Sequence, residues 1–230
     1  MISHHHRSVF VHIPKNAGQS IEHVFLELLE LDWTTRAPLL LRPNDTPALG
    51  PPRLAHLKAM DYVRFKYLTE EQFRTYFKFS FVRNPWDRAV SLYRHLNRRD
   101  TYDFKRFLMS TFKDQLWRDK QWFVGPQADF VCRDDGSIVV DFVGRFENLQ
   151  TDFDFICKKL GLSQTTLPHM NKSIQVTASG SRWLRRLNPH VSRKDVARPT
   201  TFRDYYDSES KEFVAELYAK DIETFGYTFE

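Results

Sequence analysis

Residues 9–20 read Val-Phe-Val-His-Ile-Pro-Lys-Asn-Ala-Gly-Gln-Ser, a β-branched and aromatic run that stops in a short loop of proline, lysine and small residues. The loop opens directly into an amphipathic stretch, Ser20–Leu31, with Ile21, Val24, Phe25, Leu28 and Leu29 on one face. The pattern returns downstream. Phe77–Val82 is a second buried-type strand, Arg83-Asn84-Pro85 is its turn, and Trp86–Leu96 is the helix that Pro85 suits as a first-turn residue. Strands that each feed a helix must be joined by crossovers, so the chain is expected to be α/β. The expectation is a single three-layer domain over residues 1–230 with a largely parallel central sheet flanked by helices.

The first loop also suggests chemistry. Backbone N–H groups, the Lys15 ammonium and the Ser20 hydroxyl can converge on an anion at a helix N-terminus. It is not a Walker A loop, because no Gly-Lys-Ser/Thr closes it and Lys15 precedes Gly18. A plain tight turn between strand and helix would carry the same residues.

Further elements follow from periodicity and punctuation. Residues 34–54 form a proline-rich irregular connection, and Thr69 caps a short helix running to Tyr76. Tyr102–Phe112 reads as an amphipathic helix. Asp129–Cys132 and Ile138–Phe142 flank Arg133-Asp134-Asp135-Gly136 as a hairpin. Leu149–Leu160 is a helix stopped by Gly161, and Ser208–Phe225 is a last helix stopped by Gly226. Residues 176–200 are basic and aperiodic, reading as a solvated loop or as a recruiter of an anionic glycan.

Bulk composition narrows the function classes. A net charge of +5 suits an anionic ligand but is too small to argue for nucleic acid. No run approaches the 18 or so apolar residues of a membrane span, and no signal peptide is apparent, so a cytoplasmic protein is expected. The two cysteines, Cys132 and Cys157, have neither metal-ligand nor disulfide-framework spacing, and no metal site is expected.

Arg83 and Ser91 stand eight residues apart, one at a strand end and one two turns into the next helix. A forked, permanent cation and a compact hydroxyl suit a second phosphate, provided the turn folds Arg83 back along the helix. With both units in view, Val11-His12-Ile13-Pro14-Lys15-Asn16-Ala17-Gly18-Gln19-Ser20 resembles the 5′-phosphosulfate loop of sulfotransferases that use 3′-phosphoadenosine 5′-phosphosulfate (PAPS). Phe81-Val82-Arg83-Asn84-Pro85-Trp86-Asp87-Arg88-Ala89-Val90-Ser91 resembles their 3′-phosphate segment. The likeness continues through residues 141–149, Leu167-Pro168-His169-Met170-Asn171 and Asp221–Phe229. It is closest to the carbohydrate-type enzymes (sulfotransferase family 2-like) in their small soluble bacterial form. One departure is Asn16-Ala17-Gly18-Gln19, where the family commonly has Thr-Gly-Gly-Thr.

The resemblance implies a P-loop-NTPase-like fold and transfer of a sulfuryl group from PAPS to a hydroxyl or amine of a carbohydrate-like acceptor, leaving adenosine 3′,5′-bisphosphate without any metal. It implies that Lys15, Asn16, Ala17, Gly18, Gln19 and Ser20 hold the 5′-phosphosulfate, and that Arg83 and Ser91 hold the 3′-phosphate. Lys15 is also the expected catalytic cation, and His56, between the two segments, the expected general base. Asn171 and Lys172 are expected to close over the nucleotide. His12 reads as a hydrogen-bonded core residue and Glu147 as a salt-bridged structural carboxylate. Trp117, Trp122 and Gln127 are candidates for a sugar ring or for the core. Two alternatives stay open: a P-loop-like nucleotide kinase or hydrolase, and an inactive nucleotide-binding module.

Overall fold

In a computed structural model that describes residues 1–97, 102–163, 165–168 and 200–230, four strands form one sheet. They are β1 (Ile2–Ser3), β2 (Ser8–Val11), β3 (Phe77–Val82) and β4 (Phe142–Arg145), adjacent in that order. The sheet is mixed. β2 and β3 are parallel, in register from Ser8↔Phe77 to Val11↔Ser80, and β3 and β4 are parallel from Phe79↔Phe142 to Val82↔Arg145. β1 runs antiparallel to β2, a pairing too short to leave a pattern in the sequence.

Strand periodicity sorts the core into two layers. Phe10, Phe79 and Phe81 meet Ile21, Val24 and Phe25 of α1 (Gly18–Leu28) and residues of the later helix Leu149–Leu160. On the other face Val9, Val11 and Val82 pack with Leu54, Leu57 and Phe130. Tyr62 of the short α2 (Asp61–Arg64) joins them. The expected helix after Thr69 is α3 (Glu70–Thr75), opened by a reciprocal Thr69–Gln72 capping box.

The second strand–loop–helix unit continues into α4 (Pro85–Leu96). Asn84 caps it by accepting from the N–H groups of Trp86 and Asp87, and Pro85 occupies its first turn. A third apolar cluster joins α4, through Trp86, Val90 and Leu92, to Phe104, Phe107 and Phe112 and to Val214 and Tyr218.

Several expectations need correction. The helix expected at Tyr102–Phe112 is a turn of α5 (Phe104–Arg106) that widens into a π-helical segment, Phe107–Leu116, and ends in α6 (Trp117–Asp119). After α7 (Gln121–Val124), the first arm of the expected hairpin is instead a helical turn, α8 (Ala128–Val131). The buried Asp221 carboxylate accepts from the N–H groups of Gln127 and Ala128, which favours a helix N-terminus there. The turn at 133–137 is present, closed by Arg133 N–H to Ser137 and one bridge between Cys132 and Ile138.

The strand expected at Ile138–Phe142 starts only at Phe142. Asp141 exchanges hydrogen bonds with the Lys78 backbone and sets that register. α9 (Leu149–Leu160) ends at Gly161 in the left-handed conformation, as expected. The last helix is broken at Tyr218 into α10 (Ser208–Leu217) and α11 (Ala219–Phe225). Tyr218 is buried and donates its hydroxyl to the Val124 carbonyl. The basic segment 176–199 lies outside the described residues.

Candidate active site

The loop from Pro14 to Ala17 reverses the chain between β2 and α1. It does so with two non-glycine residues at positive φ, Lys15 (74°) and Ala17 (60°). Such conformations cost about 1–3 kcal/mol each and persist where the surroundings over-determine them. The surroundings here are the second unit. The Arg83 guanidinium donates to the Lys15 carbonyl (3.1 Å), and the fully buried Arg88 donates to the Pro14 carbonyl (3.1 Å). Arg88 also donates from its two terminal nitrogens to the carbonyls of Gly125 and Phe123.

The loop's carbonyls at 14 and 15 are thus occupied, and α1 begins with no capping side chain and no acidic residue in its first turn. The first N–H groups of a helix have no acceptor four residues back, and of those in α1 the Ser20 N–H turns to the Ala17 carbonyl (3.0 Å). Together with the helix dipole they make this end a natural seat for an anion. Ser20 is buried in that first turn, Lys15 is half-buried and Gln19 exposed.

Asn16 faces inward. Its Nδ2 donates to the Phe81 carbonyl and to Gln127 Oε1, both at 2.7 Å, which fixes the amide's orientation and leaves Oδ1 buried without a partner. Gln127 is the hub that joins the units. Besides Asn16 it exchanges hydrogen bonds with the backbone N–H and C=O of Arg83, and its own N–H reaches Asp221. It is a fully buried tie and not a sugar contact. Neither Gln127 nor Arg88 has a local sequence signal, since their partners lie 35 or more residues away.

Arg83 does fold back along the helix. Its Nε pairs with Asp87 (2.8 Å) on the first turn of α4, and its guanidinium covers the Phe146 ring at 4.0 Å. Ser91 is half-buried one turn beyond Asp87, on the same helix face. The two residues expected at a second phosphate therefore share one side of α4. Glu147 is structural, held by hydrogen bonds where a salt bridge was expected: it accepts from the Asn84 N–H (2.7 Å) and the Tyr227 hydroxyl (3.1 Å).

His56 is buried beside the loop at the end of the turn Leu54–His56. Its Nδ1 lies 3.0 Å from the His12 carbonyl, and a carbonyl can only accept, so Nδ1 carries the proton and Nε2 keeps its lone pair. Burial, followed by the neighbouring His12 imidazole, holds the His56 pKa well below its ordinary value. The ring stays neutral at pH 7, as a general base requires. It sits in a cleft of about 290 Å³ with Trp122, Lys58, Pro47 and Pro51 on the walls. Trp122 therefore lines open space, whereas Trp117 packs against Phe112 and Tyr218 in the core. Asn171 and Lys172 lie outside the described residues, and among those described no cluster of His, Cys, Asp or Glu could hold a metal.

The structure is thus a mixed α/β sheet whose first crossover opens on a helix with no side-chain cap, braced by two arginines from the second. The family model described as "Sulfotransferase family" matches residues 1–228, and the chain belongs to that family. It is also 32% identical over 95 residues to an uncharacterized protein of Archaeoglobus fulgidus, covering 40% of this chain and 73% of that one. No solved structure matches the chain. No helix among the described residues is long and apolar enough to cross a membrane.

Proposed function

We propose that the chain is one PAPS-dependent sulfotransferase domain with a P-loop-like phosphate cradle, moving the sulfuryl group to a hydroxyl or amine of a carbohydrate-like acceptor. The observation that carries this reading is the pairing of the uncapped α1 N-terminus with the Arg83 side of α4, tied together by the Arg83–Lys15 hydrogen bond. Two anion sites on adjacent crossovers suit a nucleotide bearing phosphate groups at both its 5′ and 3′ ends.

In this reading the loop from Asn16 to Ser20, through its amides and the Ser20 hydroxyl, holds the 5′-phosphosulfate, while Arg83 and Ser91 hold the 3′-phosphate and so select the donor over ATP. His56 Nε2 takes the proton from the acceptor hydroxyl as its oxygen bonds to sulfur. The bond from sulfur to the bridging phosphate oxygen breaks, and Lys15 neutralises the charge that grows there. As in phosphoryl transfer, positioning and charge stabilisation carry the rate. The cleft at His56 is the acceptor side, where the Trp122 face suits a pyranose ring.

The test is transfer of labelled sulfate from PAPS to a panel of glycans, phenols and amines. The wild-type chain should label a glycan, and Lys15→Ala should lose transfer by about 100-fold or more, as when one transition-state donor is removed. Equal transfer by the Lys15→Ala protein would refute Lys15's role.

A further inference from the structure

His12 is buried at the end of β2, between the loop and His56, yet the reaction scheme leaves it unused. Three contacts fix it. Its Nδ1 lies 2.6 Å from Glu22 Oε1, and both side chains are almost wholly buried. Its ring stacks on Phe10, with centroids 5.5 Å apart. Its other edge abuts Gly18, where an added Cβ would stand 2.0 Å from His12 Nε2. On the far side it meets His56 twice: its carbonyl takes the Nδ1 proton, and the two rings lie edge to face at 4.5 Å.

We propose that His12, held by Glu22, is a positioning residue that couples the anion loop at Gly18 to the orientation and tautomer of His56. The inference rests on the reading of His56 as the base. A ring wedged between Phe10 and Gly18 can shift little in a packed interior. Movement of the loop on anion binding is therefore passed to the His12 backbone, and through its carbonyl to the catalytic lone pair. Glu22 supplies the fixed end: it lies on α1, four residues past Gly18, so loop and clamp belong to one rigid helix.

The groups facing His56 are His12, the Met1 amino group, whose pKa burial lowers to about 5, and Arg53, with Lys58, Asp61 and Arg64 around the cleft. Of these, His12 is the one whose ring touches His56.

The test is NMR titration of the His56 imidazole in the full chain, which needs no acceptor. His12→Asn deletes the ring but keeps the backbone carbonyl and, in its Nδ2–H, a donor near the place of Nδ1 toward Glu22, and His12→Gln is a second ring deletion with a longer amide. In either folded variant His56 should keep its Nδ1–H tautomer and titrate at least about half a pH unit higher than in the wild type. An unchanged His56 titration in a folded variant overturns the proposal. In the wild-type chain, adding adenosine 3′,5′-bisphosphate should shift the His12 and His56 ring signals together. Binding that leaves both signals in place overturns the coupling. Failure of the bisphosphate to bind at all would instead count against the PAPS reading, and the titration arm would still decide the role of His12.

Discussion

Gly18→Ala is the smallest change that should damage the site. Gly18 is helical and needs no unusual backbone conformation, so the effect is steric. An added Cβ would lie 2.0, 2.1 and 2.5 Å from three His12 ring atoms, against 3.4 Å or more for ordinary contact. Relief therefore needs a displacement of about 1.4 Å, the difference between 3.4 and 2.0 Å. The ring cannot supply it freely, because Phe10 stacks on it and Glu22 holds Nδ1. The loop must then move. Overpacking of this kind costs roughly 1–3 kcal/mol. At about 2–4 °C per kcal/mol for a chain of this size, the melting temperature should fall by roughly 2–12 °C. A 1 Å misplacement of positioned groups can cost about 100-fold in rate. Bisphosphate affinity, read by calorimetry, should fall in step with melting temperature. A Gly18→Ala protein with wild-type affinity and melting temperature would refute the argument that loop and His12 are packed against each other.

Other consequences follow from the same geometry. Arg83→Ala removes the charged donor to Lys15 and the cation expected at the 3′-phosphate. Charged hydrogen bonds contribute about 1.5–3 kcal/mol each, so bisphosphate affinity should drop roughly 10- to 100-fold; a change under twofold by calorimetry would remove Arg83 from the site. His56 links stability to pH. Its folded-state pKa is depressed by burial first and by His12 second, so the unfolded chain binds the proton more readily. Its contribution is full above the ordinary value of 6.5 and is lost as pH falls below it toward the folded pKa. Urea midpoints at about pH 7.5 and 5.5 should therefore drop less in His56→Gln than in the wild type. Equal drops would contradict the assignment.

Much of this architecture is legible in the chain because the deciding signals are local. The apolar runs of β2 and β3, the Asn84-Pro85 start of α4, the Thr69–Gln72 box and the Gly161 stop each lie within a few residues of what they control. The differences arise where a distant partner decides. Asp221 turns residues 128–131 from strand to helix, and Asp141 with Lys78 sets where β4 begins. At the site, Lys15 and Arg83 were accessible through their motifs, and the backbone hydrogen bond between them supports reading the motifs together. Arg88, Gln127 and the Glu22–His12 pair were not, because nothing in their spacing says that they meet the loop.

The central claim is that two anion sites, one at the α1 N-terminus and one at Arg83 and Ser91, together receive a nucleotide phosphorylated at both ends. Calorimetric titration of the wild-type chain with adenosine 3′,5′-bisphosphate and with ATP, each with and without magnesium, tests it most directly. The account predicts tighter binding of the bisphosphate, unaffected by magnesium. ATP binding that equals or exceeds it, or that depends on magnesium, would contradict the account and favour a nucleotide kinase or hydrolase.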